Sequence, residues 1–558
     1  MKDIVVKLIA KEIKLEKGKV ENLVEVPPRL EMGDFAFPCF GLAKSLRKSS
    51  IEIASDLAGK IKLPKGIERV ESEGAYVNFF VDRKVFVEGV LKRVGKKMFG
   101  ELDFGKGKKV GIEYPSPNTN KALHVGHLRN MSIGNAVSNL VANAGSEVFH
   151  LNLFNDRGIL ISKSMIGYER FGEGKTPDDL KIKGDKFVGD LYVKFSKESK
   201  SNPEFDELAS EKLRLWEAGD EETLKLWRKM NEWTYSGMQE TFDKFGLGKV
   251  DKNYYESEIY KEGRELVEAG LKKGVFVKKE GAVVIDLESE GLGEKVFLRS
   301  DGTSVYITQD LFLAEKKVND FGLDSSYYVV GSDQDYHFKV LFSVLDKLGI
   351  KKDWRHLSYG MVSLPSGKMS SREGTAVSAD DLVGEAIKIA KVGIVNRASE
   401  EIVDLDERSL KIALAAIKYA LLKVDVRKGI TFDSKRALSF EGDTEPYLLY
   451  SYARASSILR KVKSKKSVEV GDLEESEIKL VKKIDSFEDV VRSAYEGLVP
   501  NLVATYCFEL ASLFNEFYHA CPVLGDDKEG FRLALVGAFR VVMGKGLDLL
   551  GIEKLEEM

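Results

Sequence analysis

The stretch from Lys109 to Phe154 constrains the fold more than any other. Lys109 to Tyr114 reads as a buried strand, and a loop rich in Pro, Asn and Ser follows from Pro115 to Asn120. From about Gly126 to Ala144, apolar Leu128, Met131, Ala136, Val137 and Leu140 recur at helical spacing, and Gly145 stops the run. Val148 to Phe154 is a second buried strand. Two apolar strands joined by a whole helix enter one sheet in the same direction, so the chain must build a parallel α/β sheet.

The flanking segments follow other patterns. Before about residue 107 the chain reads as a small α+β unit: a helix over Ile51 to Ile61, a strand over Ala75 to Val81, a helix over Val85 to Val94. Residues 160 to 300 are heavily charged, helical first and then hairpin-like around Val283 to Ile285 and Val296 to Arg299. They read as an insertion, because a sheet pattern resumes at Tyr327-Tyr328-Val329-Val330-Gly331. From about Ile402 the periodicity is helical, with one stripe at Leu410, Ala413, Leu414, Ile417 and Leu421 and another at Phe508, Leu510, Leu513, Phe514 and Phe517.

No apolar run reaches the ~18 residues a membrane span needs, and the alternating start Met1-Lys2-Asp3-Ile4-Val5-Val6 lacks a signal-peptide core. The expectation is a cytoplasmic protein without membrane contact. Cys39, Cys507 and Cys521 are scattered and odd in number, which disfavours a disulfide scaffold or structural zinc. A net charge of −3 counts mildly against a nucleic-acid partner, although a local basic face suffices to attract phosphates.

Two motifs carry the chemistry. His124-Val125-Gly126-His127 falls where strand gives way to helix, a place where backbone N–H groups and the helix dipole attract anions. Gly126 allows close approach of a nucleotide, and the two imidazoles can donate to phosphate oxygens. The same residues would also suit a plain loop end or half a metal site. Gly367-Lys368-Met369-Ser370-Ser371-Arg372-Glu373-Gly374 follows the strand-like Met361 to Leu364. Such a loop can close over a pyrophosphate and then release it, or be an ordinary solvated turn.

In this order the pair resembles the signature motifs of class I aminoacyl-tRNA synthetases, which flank ATP on a Rossmann-type sheet. Glu113-Tyr114-Pro115-Ser116-Pro117-Asn118, running through Thr119 to Leu123 into the first motif and Leu128-Arg129-Asn130, is similar to the arginyl-tRNA synthetase family. Glu31-Met32-Gly33-Asp34-Phe35-Ala36 with Leu42-Ala43-Lys44 looks like that family's added tRNA-elbow domain. Tyr447-Leu448-Leu449-Tyr450, Ala453-Arg454 and Phe514 to His519 look like its helical anticodon-binding domain.

The resemblance implies an N-terminal α+β domain over 1–107, a Rossmann-type catalytic domain over 108–400 with the insertion around 160–300, and an all-α anticodon-binding bundle over 401–558. The implied substrates are L-arginine, ATP with Mg2+ as its complex, and tRNA-Arg, for a monomer with no tightly held metal of its own. His124, His127, Lys121, Lys368 and Arg372 would stabilise phosphate charge, with Gly126, Met369, Ser370 and Ser371 against ATP. Asn118, Glu256, Tyr306, Asp310 and Gln334 would bind arginine, and Tyr76 and Asn78 the tRNA D-loop. A guanidinium calls for planar anionic acceptors. By residue type alone, however, Asp310 could be a helix cap and Tyr306 a core aromatic.

Two departures stand out. Ser371 replaces the second lysine of the usual KMSKS loop, with Lys121 and Arg372 the nearest substitute cations. Asn155-Asp156-Arg157-Gly158 replaces a turn that usually contains tryptophan. Sibling enzymes for leucine, valine or methionine need apolar pockets, and an idle tRNA-binding paralogue would not need these histidines and carboxylates. Gly174-Lys175-Thr176 mimics the end of a P-loop, but its first glycine would fall at Glu169.

Overall fold

The structure, a computed structural model, describes residues 1–364, 367–368, 377–396, 403–433, 445–462 and 467–558. By its internal contacts the chain divides into two compact units. One holds Met1–Phe99, Leu459–Asp485 and Leu513–Val541; the other holds Gly100–Ile458, Ser486–Ser512 and Val542–Met558.

The larger unit is built on five parallel strands in the order Asp353–Tyr359, Ser325–Gly331, Lys109–Glu113, Glu147–Phe154, Lys252–Tyr255. The predicted strand–helix–strand unit is present, its helix running Val125–Asn143. Both edge strands lie outside the predicted pattern. Lys252–Tyr255 has only four residues, and Asp353–Tyr359 mixes charged and apolar positions, because an edge strand has one side free of partners. The charged segment therefore supplies one strand of the sheet itself. Its helices, Ile159–Phe171, Gly184–Glu198, Glu204–Ala218 and Glu221–Phe245, precede that strand. The expected hairpin is a three-stranded antiparallel sheet of Val277–Lys279, Ala282–Leu287 and Gly293–Leu298.

In the smaller unit, Tyr76–Val81 is the central strand, antiparallel to Phe35–Pro38 and Ile67–Glu73. The helix Ser50–Lys60 begins with a capping box between Ser49 and Glu52. The helical stripes of the C-terminal region pack as their spacing predicts: Ala413, Ile417 and Leu421 are buried, as are Leu510, Phe514 and Phe517. Among the described residues, no helix is long and apolar enough to cross a membrane.

Candidate active site

The carboxyl ends of the parallel strands converge on one rim, where open α/β sheets bind ligands. Lys109–Glu113 ends in Glu113 and runs into the loop of Asn118. Glu147–Phe154 leads to Asn155, Asp156 and Arg157, Lys252–Tyr255 to Glu256, and Ser325–Gly331 to Gln334. The Asn118 loop is laced to its neighbour. Ser116 N–H donates to Asn152 Oδ1 at 3.0 Å, Asn155 N–H to Pro117 O at 3.1 Å, and Thr119 N–H to Asn155 O at 3.1 Å. Gln334 occupies a short 3-10 turn and donates to Asp333 Oδ2 at 3.1 Å.

His124 caps the helix Val125–Asn143 with its ring. Gly126 N–H donates to His124 Nδ1 at 3.1 Å, and His124 N–H donates to His127 Nδ1 at 3.1 Å. Each Nδ1 therefore presents a lone pair, so each neutral ring carries its proton on Nε2. Burial, with Lys121 second, pushes His124 down to about 4. Burial, His124 and Lys121 together hold His127 well below the ordinary histidine range. At neutral pH the pair is uncharged and offers two Nε2–H donors. A Cβ on Gly126 would lie 2.9 Å from His124 Cε1, so the glycine makes room for the capping imidazole.

The second motif is anchored to the first. Val125 N–H donates to Val377 O at 3.3 Å and Ala379 N–H to Leu123 O at 2.9 Å, pinning the chain as it leaves the motif. On the entering side Gly367–Lys368 pairs with Val362–Leu364, which pairs in turn with Ile430–Thr431. Met369, Ser370, Ser371, Arg372 and the Lys368 side chain lie outside the described residues. Lys183 bridges Asp380 at 2.6 Å and buried Asp185 at 3.4 Å, and Asp185 accepts Leu123 N–H at 3.4 Å. Arg129, fully buried, donates to the carbonyls of Gly360 (2.7 Å), Lys428 (2.8 Å) and Val426 (3.1 Å).

Glu256, Tyr306 and Asp310 gather at the same rim. Glu256 opens the short helix Glu256–Ile259 and accepts from Gln309 Nε2 at 3.4 Å; burial pushes its carboxyl up to about 7. Asp310 lies in the second turn of the helix Tyr306–Phe321, whose cap is Val305, so it does not serve as an N-cap. Its Oδ2 is 2.7 Å from His337 Nε2, its side chain is 14% exposed, and burial raises its pKa. Tyr306 is 55% exposed, which removes the core-aromatic alternative, and its ring lies 5.7 Å from that of His337.

Sequence reasoning missed three residues here. Glu113 and Lys317 form a buried ion pair, with Lys317 Nζ 4.6 Å from the centre of the Tyr328 ring. Their signals were a carboxylate ending an apolar strand and a lysine two helical turns beyond Asp310. His337, three residues after Gln334, is the third.

The Asn155–Gly158 turn also finds its explanation. Asp156 is buried and accepts Ser257 N–H at 2.8 Å, Ser257 Oγ at 2.6 Å and Tyr235 Oη at 2.9 Å, fixing the start of the Glu256 helix. Arg157 takes the position next to it. Its guanidinium lies 3.9 Å over Tyr260 and 5.3 Å from the Trp216 ring, and pairs with Glu217 at 2.6 Å. A planar cation thus stacks on two aromatic side chains.

In the smaller unit Tyr76 is half-buried, edge-on to exposed Phe40 with centroids 5.5 Å apart. Asn78 is only 5% exposed, with Val77 and Phe79 fully buried on the opposite face. Among the described residues no group of three or more His, Cys, Asp or Glu is placed to hold a metal ion.

Comparison with known proteins gives a consistent result. The catalytic-domain model of class I (R) tRNA synthetases matches residues 90–433, the DALR anticodon-binding domain matches 448–558, and the arginyl-tRNA synthetase N-terminal domain matches 1–81. The arginine–tRNA ligase of Treponema denticola is 42% identical over 561 residues, covering 96% of this chain and 94% of its own. That of Bacteroides thetaiotaomicron is 45% identical over 478 residues, covering 80% of each. The Thermus thermophilus arginyl-tRNA synthetase structure superposes with a TM-score of 0.83 at 28% identity, covering 100% of this chain and 99% of that one.

Proposed function

Because this chain belongs to the arginyl-tRNA synthetases, we propose that its residues divide the two steps of arginine–tRNA ligation between two ends of one rim. Glu256, Asp310 and Tyr306 receive the guanidinium, while Asn118 and Gln334 hold the amino-acid backbone. ATP, carried as its Mg2+ complex, lies against Gly126 and is closed over by Met369, Ser370 and Ser371. The arginine carboxylate attacks the α-phosphorus, the bond to the β-phosphate oxygen breaks, and pyrophosphate leaves. His124 and His127 donate Nε2–H to the extra charge of the transition state, together with Lys121, Lys368 and Arg372. This is positioning and electrostatics, with no covalent enzyme intermediate. The 2′-OH of the terminal tRNA adenosine then takes the arginyl group and AMP leaves.

The observation that carries this reading is the coexistence, on one rim, of two neutral Nε2–H donors with the half-buried acidic side chains of Glu256 and Asp310. Apolar side chains have no use for those carboxylates. The test is ATP consumption with each amino acid, with and without total tRNA. Arginine alone should support turnover; turnover with leucine or methionine, or none with arginine, refutes it.

We extend the reading to the whole chain as a cytoplasmic monomer with functional boundaries at about residues 107 and 400. Tyr76 and Asn78 meet the tRNA D-loop in this scheme. The half-exposed Tyr76 ring supports that role, being free to stack on an unpaired base.

A further inference from the structure

We infer that Arg157 is a positioning residue for the amino-acid site: a resident guanidinium that favours the ionised form of Glu256 so that the pocket accepts a second guanidinium, the substrate's. The inference rests on Glu256 being an arginine acceptor.

The argument begins with register. Tyr260 follows Glu256 by four residues, and its N–H donates to Glu256 O at 3.0 Å, so the two side chains lie one above the other on one helical turn. Arg157 lies 3.9 Å over Tyr260 on that turn. The stack and the bond to Glu217 fix the guanidinium, whose side chain is 14% exposed, and its Nε is buried without a hydrogen-bond partner among the described residues. A cation held this way is only partly screened by water, and although Glu217 offsets part of its charge, it still favours negative charge close by.

Glu256 needs such a neighbour. Burial opposes its ionisation most; Asp156, from the Arg157 turn, and Asp310, from the helix Tyr306–Phe321, oppose it too. Against these stand Gln309 from that helix and Arg157, the one cation among the described groups acting on it. A protonated Glu256 must release its proton when arginine binds. The arginine KM therefore falls as pH rises through the Glu256 titration, and removing Arg157 moves that fall to higher pH. A tryptophan at this place would supply the stack without the charge, so Arg157 combines two functions in one side chain.

The test is the arginine KM in the complete aminoacylation reaction between about pH 6.5 and pH 8.5, for Arg157→Trp, Arg157→Lys, Glu256→Gln and the Arg157→Trp/Glu256→Gln double variant, with a thermal melt of each. A displacement of one pH unit is a tenfold change in ionised fraction on the acid side, so Arg157→Trp should raise KM roughly three- to tenfold at about pH 6.5 and less than about twofold at about pH 8.5. Arg157→Lys should keep the parent profile. In the Glu256→Gln background, Arg157→Trp should add nothing further. An effect of Arg157→Trp that is equal at every pH, or that persists in the Glu256→Gln background, would overturn the inference and leave Arg157 a packing residue. If Glu256→Gln itself leaves the arginine KM unchanged, the pocket assignment fails instead.

Discussion

Replacing Asp310 by Asn tests the guanidinium pocket with the least disturbance of shape. Asn keeps an oxygen in place for His337, 2.7 Å from Asp310 Oδ2, so the local packing survives while the negative charge is lost. A hydrogen bond to a charged partner contributes about 1.5–3 kcal/mol, which is roughly 10- to 150-fold in affinity. The side chain is largely buried, so water replaces little of what is lost. The guanidinium is remote from the reacting carboxylate, so the interaction is the same in ground and transition states, and the loss should appear in KM with kcat nearly unchanged. The assay is steady-state aminoacylation with arginine varied at saturating ATP and tRNA, then with ATP varied. A raised arginine KM with an unchanged ATP KM is expected. An unchanged arginine KM, or an ATP KM that rises in parallel, would refute the assignment.

Three further outcomes are expected. Lys121→Ala should lower kcat far more than it raises the ATP KM, because the charge it meets peaks in the transition state; a silent variant beside a damaged Arg372→Ala would place the compensation for Ser371 within the loop. Gly126→Ala should lower kcat with little change in arginine KM, since its Cβ would displace the His124 ring at 2.9 Å; normal turnover would show that the ring's position is immaterial. Tyr76→Ala should raise the tRNA KM without moving the melting temperature, whereas a lowered melt with proportionate loss of all activities would mark Tyr76 as core.

The central helix and its two flanking strands were legible because a buried parallel pair leaves an apolar signature at both ends of a helical one. The edge strand Lys252–Tyr255 left none: with one partner and four residues it carries too little apolar surface to register. Among the site residues, the capping histidines stood out because they sit at a strand-to-helix junction. Asp310 and Tyr306 are ambiguous in sequence, since a carboxylate near a helix start has an ordinary use. Only the actual start of the helix, with Val305 as its cap, separates the two. Lys317 and Arg157 were illegible for a common reason. Each is a cation whose role is set by partners far away in sequence, Glu113 for one and Tyr260 for the other.

Arg129 couples parts of the larger unit that are far apart in sequence. Its guanidinium grips the carbonyls of Gly360, Val426 and Lys428 from the helix that begins with the paired histidines. The same short stretch of backbone bonds onward, Ile430 N–H to Met361 O at 3.0 Å and Phe432 N–H to Ser363 O at 2.8 Å, into the strand that leads to the second motif. One side chain and two ladder bonds therefore tie the helix of the first motif and the strand before the second to the few residues that follow the helix Leu405–Leu422. A displacement of residues 425–432 therefore cannot reach the strand Val362–Leu364 without also pulling on the helix Val125–Asn143.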